Sequence, residues 1–360
     1  MKKIKLFDPV TDKKESIAIK KVLDSNYWAS GLGENNVKLF EKKFQKFIGS
    51  KNSVCVNSGT AALSLALSLC NIRDKEVILP SLTFVSTAHS VIENGGIPVF
   101  VDVDPKTLCI STEQISKKIS KRTKAIIPVH FGGMPCDLKE ISRLCKKFNL
   151  ILIEDAAHSA GAFFNKKRIG KHGSFVCFSF HPVKNLAMPT GGLIALNDKN
   201  HSIQKKKLLS KRWCGITNRH GSDYDVKELG WNYYMNEFSA AIGLVQLKKL
   251  DIMNKKRQKI ALRYSNELDV EWKMPYDKNS AYHFYWVIIK NRKKLRDILS
   301  THGIETGTHY KPVHTLSMYK SKIRLPTTEK IGKEIVTLPT HPNLSKTDVD
   351  RIIRVINNSV

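Results

Sequence analysis

Residues 150–162 read LILIEDAAHSAGA. Four apolar residues run without alternation into Glu154 and Asp155, and small residues follow. An apolar run of strand length with no polar alternation reads as a strand buried on both faces, the signature of a parallel sheet covered by helices. Comparable runs lie at 53–56, 77–79, 99–101, 125–129, 175–178 and 193–196. Helical spacing fills the gaps. At 35–48, Val37, Phe40, Phe44 and Phe47 share one face, with Gly49 as a C-cap. A second helix opens near Thr60, with Leu63, Ala66, Leu67 and Cys70 in register. Seven strands with intervening helices predict an α/β doubly wound domain with a mostly parallel seven-stranded sheet and helices on both faces.

The pattern changes towards the C-terminus. A long helix is expected over 235–264, with Phe238, Ala241, Ile242 and Val245 as its apolar face. Beyond it, 284–289 reads as a strand, and 293–302 and 346–357 as helices. The expected division is a large α/β domain over 1–250 and a small α+β domain over 251–360. A chain of 360 residues with 41% apolar content can bury both.

Composition narrows the function. The start, MKKIKLFDPV, has no apolar run of signal-peptide length after its lysines. No stretch approaches the roughly 18 apolar residues of a membrane span. A cytoplasmic protein is expected, with no membrane partner. The seven cysteines form no CxxC pair, so they read as reduced core thiols, and no metal site is expected. The formal charge of +28 is spread through short lysine groups such as Lys205–Lys207. That fits a solvated lysine-rich surface as well as an anionic substrate, and it does not by itself choose a partner.

Three places carry chemistry. Ligands of open α/β sheets sit beyond the carboxyl ends of the strands. Asp155 stands at such an end, either capping a helix or holding a cationic group. In GSFVCFSFHPVKNLAMPTGG (173–192), a strand ends at Ser179 and Lys184 follows. A lysine in a dry pocket loses ammonium pKa and can form a Schiff base, although a lysine is more often simply on a surface. In VNSGTAALSLAL (56–67), a strand runs through Ser58, Gly59 and Thr60 into a helix, whose amides and dipole suit an anion; an ordinary Ser N-cap looks the same. Together they supply a phosphate cradle, a carboxylate, and a lysine 29 residues beyond it. This is what pyridoxal 5'-phosphate (PLP) requires of a protein.

Here the sequence resembles the DegT/DnrJ/EryC1/StrS family of PLP-dependent sugar aminotransferases, of fold type I. The resemblance runs through YWASG (27–31), FEKKFQKFIG (40–49), SGTAAL (58–63), LPSLTFVSTAHSVIENGGIPVFVDVDP (79–105), PVHFGG (128–133), EDAAHSAGA (154–162), FSFHPVKN (178–185), WNYYMNEFSAAIGLVQLKKLD (231–251), GIETGTHYKPVH (303–314) and LPTTEKI (325–331).

The resemblance implies that Lys184 carries the cofactor and Asp155 faces its pyridine nitrogen. It puts Gly59, Thr60 and Ser179 on the phosphate and Phe84 against the ring. It sends Asn232 to the phosphate of a neighbouring subunit, and it sets Tyr310 and His314 beside the sugar site. Three positions depart from the common pattern. His158 replaces a glutamine near the cofactor's phenolic oxygen, Tyr234 replaces an arginine, and LAMPTGG lacks an acidic residue between its glycines. His181 is read as structural. The implied activity is amino transfer from an amino acid, glutamate foremost, to a nucleotide-linked keto-sugar. The NYYM block points to C4, and the implied assembly is a homodimer with shared sites. Lysine at position 184, where dehydratases of the family have histidine, favours amino transfer over dehydration. Another PLP reaction in the same fold, dehydration or amino-sugar epimerisation, is the alternative reading. A nucleic-acid-binding regulator would need an extra helix-turn-helix segment, which the sequence lacks.

Overall fold

The computed structural model describes residues 2–360. All seven expected strands form one sheet. Its order is Asn52–Val56, Gly192–Leu196, Phe175–Ser179, Ile151–Asp155, Thr123–Ile126, Glu76–Pro80, Ile97–Val101. Alternate residues of each strand enter opposite cores, as a two-residue side-chain period requires. Cys55, Ile78, Ile126, Leu152 and Val176 face one core, beneath the helices Asn35–Ile48, Leu138–Phe148 and Glu237–Glu267. Val54, Val77, Ala125, Ile153 and Cys177 face the other, beneath Gly59–Ser68, Ser86–Glu93 and His201–Lys211. The unalternating apolar runs are thus explained by burial on both faces.

The sheet is mostly parallel, as expected, and one strand runs against the rest. Gly192–Leu196 pairs antiparallel with both of its neighbours. Residues 180–191 connect it to Phe175–Ser179 without a crossover helix, and only a crossover returns a chain in the parallel sense. Burial says nothing about direction.

The Asn35–Ile48 helix forms as its spacing predicts. Val37, Phe40 and Phe44 are buried, and Gly49 closes the helix in the left-handed conformation at φ 74°. Burying each phenylalanine contributes roughly 1.5–3 kcal/mol. The Glu237–Glu267 helix differs from expectation. Of the anticipated face only Ala241 is fully buried, whereas Phe238, Ile242 and Val245 are half-exposed. Its inner face carries Glu237, Gln246, Asn254 and Arg257, polar groups that the apolar pattern could not reveal.

Towards the C-terminus, Tyr285–Ile288 pairs antiparallel with Ile335–Leu338, and the helices Arg292–Thr301 and Lys346–Asn357 pack on each other. The Glu237–Glu267 helix runs unbroken through positions 250 and 251. Among the described residues no helix is long and apolar enough to cross a membrane, and no cluster of metal-ligating side chains gathers.

Candidate active site

The carboxyl ends of five strands that run in the same direction converge on one cavity of about 320 Å³. The end of Asn52–Val56 delivers Ser58, Gly59 and Thr60. Ser58 caps the following helix, its Oγ accepting the Ala61 N–H at 3.0 Å. The amides of Gly59 and Thr60 belong to a first turn, which has no intrahelical acceptors for them. They are available to an anion. A Cβ at position 59 would lie 2.7 Å from the Ser179 Cβ, so only glycine lets the cradle close on the Phe175–Ser179 strand.

Asp155 ends its strand below the cavity and is 5% exposed. It caps no helix. Its Oδ1 accepts the Ala157 N–H at 3.1 Å and its Oδ2 accepts the Thr87 hydroxyl at 2.8 Å. Burial pushes its pKa up, and these two bonds oppose the rise. Lys184 stands half-buried on the loop after Ser179. Desolvation pulls its ammonium down to about 8, and the Asp155 charge resists. An amine at that pKa is a substantial free base near neutrality, which an ordinary surface lysine is not.

The opposite wall is aromatic. Phe84 lines the cavity yet is 55% exposed, and its ring lies 5.9 Å from that of Tyr310. His158 takes a hydrogen bond from the Gly132 N–H on Nδ1 at 3.3 Å, and its Nε2 lies 3.2 Å from the Tyr310 hydroxyl. Burial holds His158 far below the usual histidine range, so the ring is neutral. With Nδ1 accepting, the one ring proton sits on Nε2 and donates to Tyr310. Burial raises the tyrosine pKa, so the phenol keeps its own proton.

Eight of the residues singled out in the sequence therefore meet at one cavity: Lys184, Asp155, Gly59, Thr60, Phe84, His158, Ser179 and Tyr310. Two do not. His314 is buried beside it, with Nδ1 2.6 Å from the Ser81 hydroxyl, and ties down the segment carrying Tyr310. Asn232 is exposed, and its carbonyl accepts the Asn57 side-chain amide at 3.3 Å. His181, read as structural, lines the cavity, as does His309, which no motif or spacing in the sequence singles out. Thr83 and Thr87 were also missed. Hydroxyls around a helix start read as caps.

A matching family model covers residues 9–357, that of the DegT/DnrJ/EryC1/StrS aminotransferase family. The chain belongs to this family. It is 34% identical to the spore coat polysaccharide biosynthesis protein SpsC of Bacillus subtilis over 98% of this chain and 96% of that one. Its fold matches Helicobacter pylori PseC, an aminotransferase involved in the biosynthesis of pseudoaminic acid, with TM-score 0.93, 28% identity and 99% of both chains covered. The PLP form of the putative sugar aminotransferase Spr1654 from Streptococcus pneumoniae matches with TM-score 0.92 and 25% identity, over 99% of this chain and 98% of that one. The protein is a PLP-dependent aminotransferase of fold type I. Its donor set fits that cofactor: free helix-start amides for a phosphate, a buried carboxylate for a pyridinium, a depressed-pKa amine for an aldehyde, and an open aromatic ring for a flat heterocycle.

Proposed function

We propose that the enzyme moves an amino group from an amino acid, glutamate foremost, to the keto carbon of a nucleotide-linked sugar, at C4. The observation that carries this reading is Lys184, whose amine is depressed to about 8 inside the cavity that Asp155 closes from below.

Gly59, Thr60 and Ser179 would hold the phosphate of PLP, and Phe84 would lie against its ring. Bound PLP supplies the electron sink for the carbon that exchanges its proton. Asp155, ionised, attracts the proton of the pyridine nitrogen and keeps it in place. Lys184 Nζ, once free, takes a proton from the donor amino acid's α-carbon and returns one to the neighbouring position, acting as general base and then acid. In the second half-reaction it does the reverse on the sugar. His158 holds the Tyr310 hydroxyl so that its proton points into the cavity. The sugar assignment is supported by likeness to SpsC and PseC, and C4 by the NYYM block at 232–235.

We further propose a homodimer with shared sites. Lys184 is the one lysine or arginine among the cavity's lining residues, so the anionic nucleotide needs cations from elsewhere. Around Asn232 the single chain exposes apolar side chains, Leu229 at 74% and Tyr224 at 59%. Six of the seven cysteines are buried and all are unpaired, which suits a reducing cytoplasm.

The test is incubation with isotopically labelled glutamate and a panel of nucleotide-linked 3-keto and 4-keto sugars, followed by mass spectrometry. Label is expected in a 4-amino sugar. Loss of water from the sugar with no label gained would replace amino transfer with dehydration.

A further inference from the structure

Asp155 depends for one of its two carboxylate contacts on an element that its own strand does not adjoin. Thr87 lies in the first turn of Ser86–Glu93, the helix that follows the Glu76–Pro80 strand. Between that strand and Ile151–Asp155 runs a third, Thr123–Ile126. Backbone pairing therefore does not bring Thr87 to Asp155; the side chains do, across the end of the middle strand. Thr87 Oγ1 lies 2.8 Å from Asp155 Oδ2 and 2.9 Å from Thr83 Oγ1. Both threonines are buried, at 0% and 2% exposure.

The proton directions follow from the donor inventory. An ionised carboxylate only accepts, so Thr87 spends its single proton on Asp155. Thr87 must then be the acceptor of the second bond, so Thr83 donates to it. The result is a one-way chain, Thr83 to Thr87 to Asp155. The turn that carries it also carries Phe84 between the two hydroxyls, and the Thr87 N–H donates to the Phe84 carbonyl at 3.1 Å. One short turn therefore fixes both the ring on the cavity wall and the carboxylate at its base.

We propose that Thr87, backed by Thr83, is a positioning residue that orients the Asp155 carboxylate towards the cofactor's pyridine nitrogen in register with Phe84. This rests on the reading of Asp155 given above. Thr87 acts through Asp155 and does not itself touch the reacting atoms. A chain of polarised hydroxyls ending on a charge is stronger than an isolated neutral bond. It also opposes the burial that drives Asp155 towards its neutral form. The other titratable groups facing Asp155 are Lys184 on the loop after Ser179, His130 beyond Thr123–Ile126, Cys177 on the adjacent strand and Tyr310 from the C-terminal part. Of these only Lys184 and His130 help to keep it ionised, and neither orients it by a hydrogen bond.

The experiment uses the holoenzyme and two readouts. The first is the pH midpoint of its visible absorption change, which senses the charge on the pyridine ring and needs no sugar. The second is the kcat and KM of the glutamate half-reaction. Thr87→Val keeps the shape and removes the hydroxyl. The midpoint should move by about one pH unit, and kcat should fall on the order of 10-fold with KM little changed, the scale of one hydrogen bond to a charge. Thr87→Ser should restore both. Thr83→Val, which leaves Thr87 on Asp155, should move both the same way by less, and it carries the test if Thr87→Val does not fold. In an Asp155→Asn background, Thr87→Val should add less than about a twofold further loss, because coupled residues are not additive. An unmoved midpoint in a folded Thr87→Val or Thr83→Val holoenzyme overturns the proposal, as does a full additional loss in the Asp155→Asn background. If borohydride fixes no pyridoxyl group on Lys184, the site assignment fails instead. A wrong sugar assignment leaves the absorption result untouched.

Discussion

The Nε2 atom of His158 lies 3.2 Å from the Tyr310 hydroxyl, while its Nδ1 accepts the Gly132 amide. The backbone thus selects the histidine tautomer, and the tautomer leaves the tyrosine proton free for the cavity. Tyr310→Phe removes that proton and keeps the ring beside Phe84. We expect kcat/KM to fall on the order of 10-fold, with PLP still bound and thermal stability nearly unchanged. Unaltered steady-state kinetics would show that the hydroxyl points at nothing in the reaction.

The Lys184 pKa of about 8 makes reconstitution pH-dependent. Only the free amine attacks an aldehyde. The rate at which the cofactor-free protein regains its visible band from added PLP should rise about tenfold per pH unit below 8 and level off above it. A rise continuing towards the ordinary lysine value near 10.4 would mean that the amine is solvated. Lys184→Ala should form no borohydride-stable pyridoxyl adduct.

Gly59→Ala tests the phosphate cradle. The added methyl meets the Ser179 side chain at 2.7 Å, and the helix start or the strand end must shift. Overpacking of this kind costs about 1–3 kcal/mol. Much of it should appear as weaker PLP binding, on the order of 10-fold, measured by titrating the cofactor-free variant. Wild-type affinity would show that the cradle tolerates the displacement.

Six histidines are pushed down by burial: His158, His172, His181, His283, His309 and His341, with His309 reaching about 4. In the unfolded chain each takes up a proton near pH 6.5, while the folded protein resists. Below that pH the unfolded state binds more protons, so stability falls as pH falls. For His309 the window runs from about 6.5 down to about 4. Asp155, raised by burial, acts in the opposite direction. The urea midpoint of the holoenzyme should drop between pH 7 and pH 5. A flat profile would mean that water reaches these rings.

The parts that were legible in the sequence are those in which burial leaves a compositional trace. Residues 150–153 and 175–178 announce strands because both faces are buried, and Asp155 and Lys184 stand out because charge follows such runs. Direction leaves no trace, so Gly192–Leu196 was read with the others. The Ile216–His220 and Asp223–Val226 ribbon, ITNRH and DYDV, is largely exposed and polar and gave no apolar signal. The Lys13–Asp24 helix was missed although Asp12 and Glu15 form a capping box. Thr87 was invisible because its partner Asp155 is 68 residues away and two strands over.

Asn232 offers the sharpest test of assembly. It lies outside its own chain's cavity and is exposed, held through its backbone in a bridge to Trp213. Nearby, Phe238, Ile242 and Val245 leave an apolar strip half-exposed on the Glu237–Glu267 helix. If the protein is a two-fold dimer in which Asn232 closes the partner's phosphate site, each site needs both chains. Lys184→Ala damages the site on its own chain, and Asn232→Ala damages the site opposite. In a mixed dimer of the two variants, one site carries both lesions and the other carries neither. Tagging each variant differently and purifying the doubly tagged species isolates that dimer. It should show about half the wild-type activity per dimer, where each parent shows little. Should the verified mixed dimer be as inactive as its parents, while Asn232→Ala alone is crippled, Asn232 serves its own chain and the shared-site assembly is wrong.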